Sequence, residues 1–99
     1  MNRSDLVRTV HENVARSGKA RLSKAEVDAV VCDLFETIID ALANSNSVRI
    51  AGFGAFEPRQ RAARAARDPR NGREVAVPAT IVPVFRPGKK FKRLVADVD

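Results

Sequence analysis

Between Gly52 and Gly72 the chain reads GFGAFEPRQRAARAARDPRNG, a stretch that leaves few ways to fold. Phe53 stands between two glycines, Arg59, Arg61, Arg64, Arg67 and Arg70 follow, and Asp68-Pro69-Arg70-Asn71-Gly72 reads as a turn with Arg73 beyond it. Proline presets φ at the second turn position and glycine accepts φ > 0, so the chain reverses here. Apolar alternation returns on both sides, in Ala55-Phe56 before the turn and in Val75-Ala76-Val77 and Ile81-Val82-Pro83-Val84-Phe85 after it. The pattern predicts a long two-stranded β-ribbon with an arginine-rich tip. Ala62-Ala63-Arg64-Ala65-Ala66-Arg67 has high helix propensity on its own. Its flanks are strand-like and it shows no apolar face, so extended structure is expected.

A ribbon this charged gains little by burying itself, and nothing in its own sequence from Arg59 to Arg73 holds it down. Its chemistry calls for an anion. The charge of the whole chain agrees. Residues 1–47 carry six Lys/Arg against seven Asp/Glu, and residues 48–99 carry twelve against five, so the net charge of +6 resides in the second half. One-sided positive charge is the electrostatic footprint of a nucleic-acid binder.

The rest of the chain frames the ribbon. At 99 residues it is one small domain with a modest core, expected as a single unit over 1–99. Ser4-Asp5 predicts the start of a first helix, with Leu6, Val7, Val10 and Val14 at helical spacing and Ser17-Gly18 ending it. Ser23-Lys24-Ala25-Glu26 predicts a capping box for a second helix. Behind it Val27, Val30, Val31, Leu34, Phe35, Ile38, Ile39 and Leu42 make an apolar face too wide for one short helix to cover, which points to a second chain. Asn44-Ser45-Asn46-Ser47 ends this helix, and Val48-Arg49-Ile50 alternates as a short strand. Pro58, Pro78 and Pro83 donate no ladder hydrogen bond and are expected at edges or bulges. Pro87-Gly88 opens a final helix over 88–99 with Phe91, Leu94 and Val95 on its inner side.

The arginines at 61, 64, 67, 70 and 73 recur every third residue, which places successive charges on opposite faces of a strand. That suits a twisted ribbon in a narrow groove, where both faces see phosphates and the negative potential favours Arg. Lys89 and Lys90 lie in the first turn of the last helix, where cations oppose the helix dipole, and Arg86 precedes them. Such placement suggests a phosphate site at the helix N-terminus. Phe53, Phe56, Phe85 and Phe91 fit apolar positions better than stacking platforms. His11 and Cys32 lie on different helices, and one His with one Cys does not make a metal site. Neither a metal, a cofactor nor a small-molecule substrate is expected, and no nucleophile–base pair supports an enzyme. The lone cysteine and the lack of an apolar leading segment fit a reducing cytoplasm, and no apolar run reaches the length of a membrane span.

In Gly52-Phe53-Gly54-Ala55-Phe56, Arg61, Arg64, Arg67-Asp68-Pro69-Arg70-Asn71-Gly72 and Phe85-Arg86-Pro87-Gly88-Lys89, the chain resembles the HU and integration host factor family of bacterial DNA-bending proteins. With two leading helices, the likeness covers nearly the whole chain. The resemblance implies an α+β fold: two helices over 1–47 as a dimerisation base, a three-stranded antiparallel sheet with a ribbon arm over 48–87, and a short C-terminal helix. It implies an intertwined dimer, with an identical or paralogous partner, whose core would include Val31, Leu34, Phe35, Ile38, Phe53, Phe56 and Phe85. It implies double-stranded DNA as the partner, bound and bent through the minor groove largely without regard to sequence, in the bacterial nucleoid. HU and integration host factor are themselves the familiar examples of apolar wedges in the minor groove; carried across, the wedge is Pro69. Arg59, Arg61, Arg64, Arg67, Arg70, Arg73, Arg86, Lys89 and Lys90 would hold DNA. Two positions depart from the family pattern: Asp68 stands where Asn or Lys is usual, and Ala66 where Gly is favoured. The competing readings are a site-specific bender of the integration host factor type and a basic RNA-binding module. A thin arm fits the wide, shallow minor groove of A-form RNA poorly.

Overall fold

The computed structural model describes residues 1–97. Its elements run α1 (Arg3–Ser17), α2 (Lys24–Ala43), β1 (Val48–Ile50), β2 (Gly54–Arg61), β3 (Arg64–Arg67), β4 (Glu74–Val77), β5 (Thr80–Pro87) and α3 (Lys89–Ala96). Helices lead, an antiparallel sheet and ribbon follow, and a short helix closes the order, which is the α+β class expected. The sequence places the final helix over 88–99; positions 98 and 99 lie outside the described residues. Two compact units divide the chain, Met1–Ile39 and the part from Asp40 onward.

In the first unit α1 begins ahead of the start that Ser4-Asp5 suggests. Asn2 is the N-cap: its Oδ1 accepts from Asp5 N at 3.0 Å, and Asn2 N donates back to Asp5 Oδ2 at 3.0 Å. An acid three residues after Asn2 allows this reciprocal box, whereas a cap at Ser4 would find Val7 there. Gly18, at φ 68°, ends the helix in the left-handed region. The expected box at α2 is present: Ser23 N donates to Glu26 Oε1 at 2.8 Å and Glu26 N to Ser23 Oγ at 3.0 Å. Between the helices, His11 Nε2 lies 3.0 Å from Leu22 O and ties the loop to α1. Val7 and Val27 are the buried pair of this unit. The outer side of α2 stays open, with Val30 63%, Leu34 52% and Ile39 65% exposed and Phe35 exposed as well.

The second unit carries the end of α2. Ser45 adopts φ 64°, Asn46 N donates to Ala41 O at 2.9 Å and Ser45 N to Leu42 O at 3.0 Å, a Schellman closure built without glycine. The sheet order is β1-β2-β5, all antiparallel, and β3 pairs β4 as a separate two-stranded ribbon. Phe53, Phe56, Phe85 and Phe91 form one aromatic cluster, with centroids 4.8 Å apart for Phe56–Phe85 and 5.3 Å for Phe53–Phe91. Phe53, Phe56 and Phe85, the rings expected in the dimer core, are in mutual contact within the single chain. Of the expected inner side of α3, only Phe91 packs; Leu94 and Val95 are exposed, because eight residues bring a single ring to the cluster.

Candidate nucleic-acid interface

The site is built outward from the Gly-Phe-Gly turn. Gly52, at φ 76°, lets Phe53 N donate to Ile50 O at 3.0 Å and brings β1 back onto β2. Gly54 answers a different need. A Cβ there would sit 2.5 Å from Arg86 O and 2.9 Å from two Phe85 ring atoms, so the close approach of β2 and β5 under the aromatic cluster requires glycine. The turn thereby fixes which face of the sheet each later residue occupies.

Register divides the sheet into two unlike faces. Val48, Phe56 and Phe85 align across the three strands, as do Arg49, Ala55 and Arg86. With side chains alternating along a strand, one face carries Phe56, Pro58, Phe85 and Pro87. The other carries Arg49, Arg59, Arg61 and Arg86. Arg49 is not among the cations that the sequence singles out. The alternation of Val48-Arg49-Ile50 holds the signal, but only the pairing to Ala55 shows which face it joins. Glu57 lies on the same face, with Oε2 3.6 Å from Arg86 Nη1. The diagonal offset of the two residues makes that pair reachable.

Prolines end the sheet's reach without breaking its register. Pro58 and Pro83 oppose each other. Gly88 N donates to Phe53 O at 2.9 Å, so alternation puts the proline pair at a non-hydrogen-bonded position, where neither needs a donor toward its partner. Pro58 lies beyond the end of β1 and Pro83 is on the edge strand, as expected of strand prolines. Pro78 sits in an interruption. Strand pairing stops at Arg61 opposite Thr80 and resumes at Arg64 opposite Val77, leaving Ala62-Ala63 and Pro78-Ala79 between. The offset is unchanged across the gap, so the ribbon is one hairpin whose pairing is interrupted where Pro78 is expected to disturb the ladder.

Beyond the interruption, Arg64↔Val77, Ala65↔Ala76, Ala66↔Val75 and Arg67↔Glu74 are paired. The helix propensity of this segment loses to pairing, because β4 offers a partner. Arg64 and Arg67 fall on opposite faces, as their spacing requires. One correction follows. The segment alone shows no apolar face, but across the pair Ala66, Val75 and Val77 share a side with Arg64.

The tip is a four-residue loop, Pro69 to Gly72, closed by Asp68 N to Arg73 O at 2.8 Å and Gly72 N to Asp68 O at 2.8 Å. Gly72 takes φ 71°. Asp68 Oδ1 accepts from Arg70 N at 2.8 Å and lies 3.5 Å from Arg70 Nε. Asn71 Oδ1 accepts from Arg73 N at 2.9 Å, and Arg67 Nη1 donates to Gly72 O at 3.1 Å. The sequence shows nothing to hold the arm down; the folded tip supplies its own bonds, from side-chain acceptors that stabilise turns. Pro69 stands exposed at the apex.

The candidate cations thus divide. Arg70 and Arg86 have carboxylate partners, while Arg59, Arg61, Arg64, Arg67, Arg73, Lys89 and Lys90 have none among the described residues. Lys89 and Lys90 are exposed in the first turn of α3, behind an N-cap glycine that offers no side-chain capping bond. Lys92 and Arg93, likewise not singled out by the sequence, add charge to the same short helix.

The sequence profile of the bacterial DNA-binding protein family matches residues 1–96, so the chain belongs to that family. It is 42% identical over 96 residues to DNA-binding protein HU 1 of Bacillus subtilis, covering 97% of this chain and 98% of that one. DNA-binding protein HU of Nostoc is likewise 42% identical over 96 residues, with coverage of 97% and 96%. The fold matches an Anabaena HU–DNA cocrystal structure with a TM-score of 0.84 at 41% identity, over 99% of this chain and 100% of that chain. HU from Thermotoga maritima matches with a TM-score of 0.61 at 29% identity, over 96% and 98%.

Proposed function

We propose that the chain is an architectural protein that binds double-stranded DNA largely without regard to sequence and bends it through the minor groove. The observation that carries this reading is the division of the sheet, aromatic on one face and cationic on the other, together with the arginines on both faces of the ribbon beyond it, which lead to an exposed proline. Arg59, Arg61, Arg64, Arg67 and Arg73 neutralise phosphates along the arm, and Lys89 and Lys90 do so at its base, beside Arg86, which is paired with Glu57. Affinity then comes from counterion release. Pro69 enters a base step, and the cost of deformation is offset by the extra surface a bent duplex can touch. The relatives carry HU names, which favours this reading over a site-specific bender of the integration host factor type.

The exposed side of α2 supports a dimer, with Val31, Leu34, Phe35 and Ile38 covered by a second copy and Phe53, Phe56 and Phe85 inside the assembled core. Two arms would then embrace one duplex. Such a protein acts in the bacterial nucleoid and needs no catalytic group. Among the described residues no helix is long and apolar enough to cross a membrane.

Fluorescence transfer across end-labelled duplexes, intact and nicked, over a salt series tests the proposal. Addition of protein should shorten the end-to-end distance, and the midpoint should move strongly with salt. Binding without any change of distance, or equal competition by an RNA duplex, would contradict it. In parallel, the thermal midpoint should rise with protein concentration; a midpoint that ignores dilution would remove the dimer.

A further inference from the structure

Asp68 performs two separable tasks at the arm tip. The first is shape. Its Oδ1 accepts the Arg70 N–H at 2.8 Å, while its backbone closes the loop through Arg73 O and Gly72 N. With Asn71 Oδ1 holding Arg73 N, every backbone donor from Asp68 to Arg73 has a partner, Pro69 having none to offer. The second is charge. The same oxygen lies 3.5 Å from Arg70 Nε, and the carboxylate is drawn into the turn, its side chain 18% exposed against 89% for Arg70. An asparagine could serve the first task with the same acceptor atom but not the second.

We infer that Asp68 is a specificity-determining residue that cancels the charge of Arg70 and so takes one cation per arm out of phosphate binding while keeping the Pro69 apex built. This rests on the DNA-bending reading above. On an intact duplex two arrangements compete: the tip resting on the phosphates with the DNA straight, and the tip inserted with the DNA bent. A free Arg70 would favour the first through counterion release. A neutral tip leaves insertion as the main source of gain, and insertion is cheapest where the duplex is already interrupted. Asp68 therefore biases the protein toward nicked or otherwise deformable DNA.

The experiment compares the full-length wild type, D68N, R70A and the D68N/R70A pair on intact and nicked duplexes over a salt series. For D68N the slope of log affinity against log salt should steepen by about 0.9 for each arm engaged. Intact duplex should be bound several-fold more tightly at low salt, and the preference for nicks should narrow. R70A in the wild-type background should change the slope little, because Arg70 is already neutralised, and in the D68N background it should abolish the gain. A D68N slope equal to wild type overturns the inference. So does an R70A slope shallower by about one full charge, a result that stands even if D68N disturbs the turn. Failure of the wild type to bend DNA at all would instead strike the underlying functional reading.

Discussion

Phe56 and Phe85 face each other with ring centroids 4.8 Å apart, and Phe53 and Phe91 close on them. Farther along the same hairpin and in the same register, Ala66 faces Val75, with Val75 largely exposed. The proximal sheet is held by apolar burial, which is non-directional and grows with area. The distal ribbon has almost no area to bury and is held by its ladder and by Asp68, Asn71 and Arg67 at the loop. One hairpin thus joins a base whose stability belongs to the fold and an arm whose shape is set locally. Residues of the base should then govern unfolding, and residues of the arm should govern DNA binding with little effect on unfolding.

The largest expected effect is on the base. Phe85→Ala removes ring contacts to Phe53, Phe56 and Phe91 at 5.2, 4.8 and 5.8 Å. It should cost about 3 kcal/mol of folding stability, toward the lower end for aromatic truncations because the ring is half-buried in the chain. Denaturant midpoints at fixed protein concentration measure this. Arg64→Ala in the same assay should shift the midpoint by under about 0.5 kcal/mol. Equal losses in the two variants would erase the contrast between base and arm.

Next come two arm variants whose effects should differ in kind. Pro69→Ala should impair bending of intact duplex while leaving the phosphate contacts, and its loss should be smaller on nicked DNA. The difference between the two DNAs should stay within a few kcal/mol, the order of an unstacking term. Arg64→Ala should weaken both DNAs together and reduce the salt slope by about one for each phosphate the arginine neutralises. If Pro69→Ala left the bend and the nick preference unchanged in a folded protein, the proline would be a turn residue only.

Much of this arrangement can be read from the sequence because its signals are local. The tip rests on Pro69 and Gly72, the Gly-Phe-Gly turn on two glycines flanking one ring, and the α2 start on Ser23 with Glu26, all within a few residues. What escapes depends on partners distant in sequence. Arg49 joins the cationic face only through its pairing with Ala55, and Ala66 becomes part of an apolar side only beside Val75 and Val77. The interruption at Ala62-Ala63 follows from Pro78-Ala79 opposite it. The start of α1 is a local ambiguity: two caps are open to the chain, and Asn2 with Asp5 completes a box that Ser4 cannot.

The smallest effect concerns a polar device like that of Asp68 but set on an element with buried support. At the start of α2 the Ser23 backbone N–H, and after it the Ser23 side chain, hold the Glu26 carboxyl below its ordinary value. Val27, one residue on, is buried, so the helix is anchored whether or not its cap is charged. The sign follows from linkage. A carboxyl depressed in the folded state contributes stability fully above its unfolded pKa and loses it as pH falls through the folded value. Wild type should therefore exceed Glu26→Gln in stability at neutral pH, and the gap should close on the acid side of the ordinary carboxylate range. Paired melts from neutral to acid pH measure it. A gap that persists unchanged below that range would show that the Glu26 charge contributes nothing and that shape alone caps the helix. The box at α2 would then work as the Asn71 acceptor does in the arm, through geometry without charge.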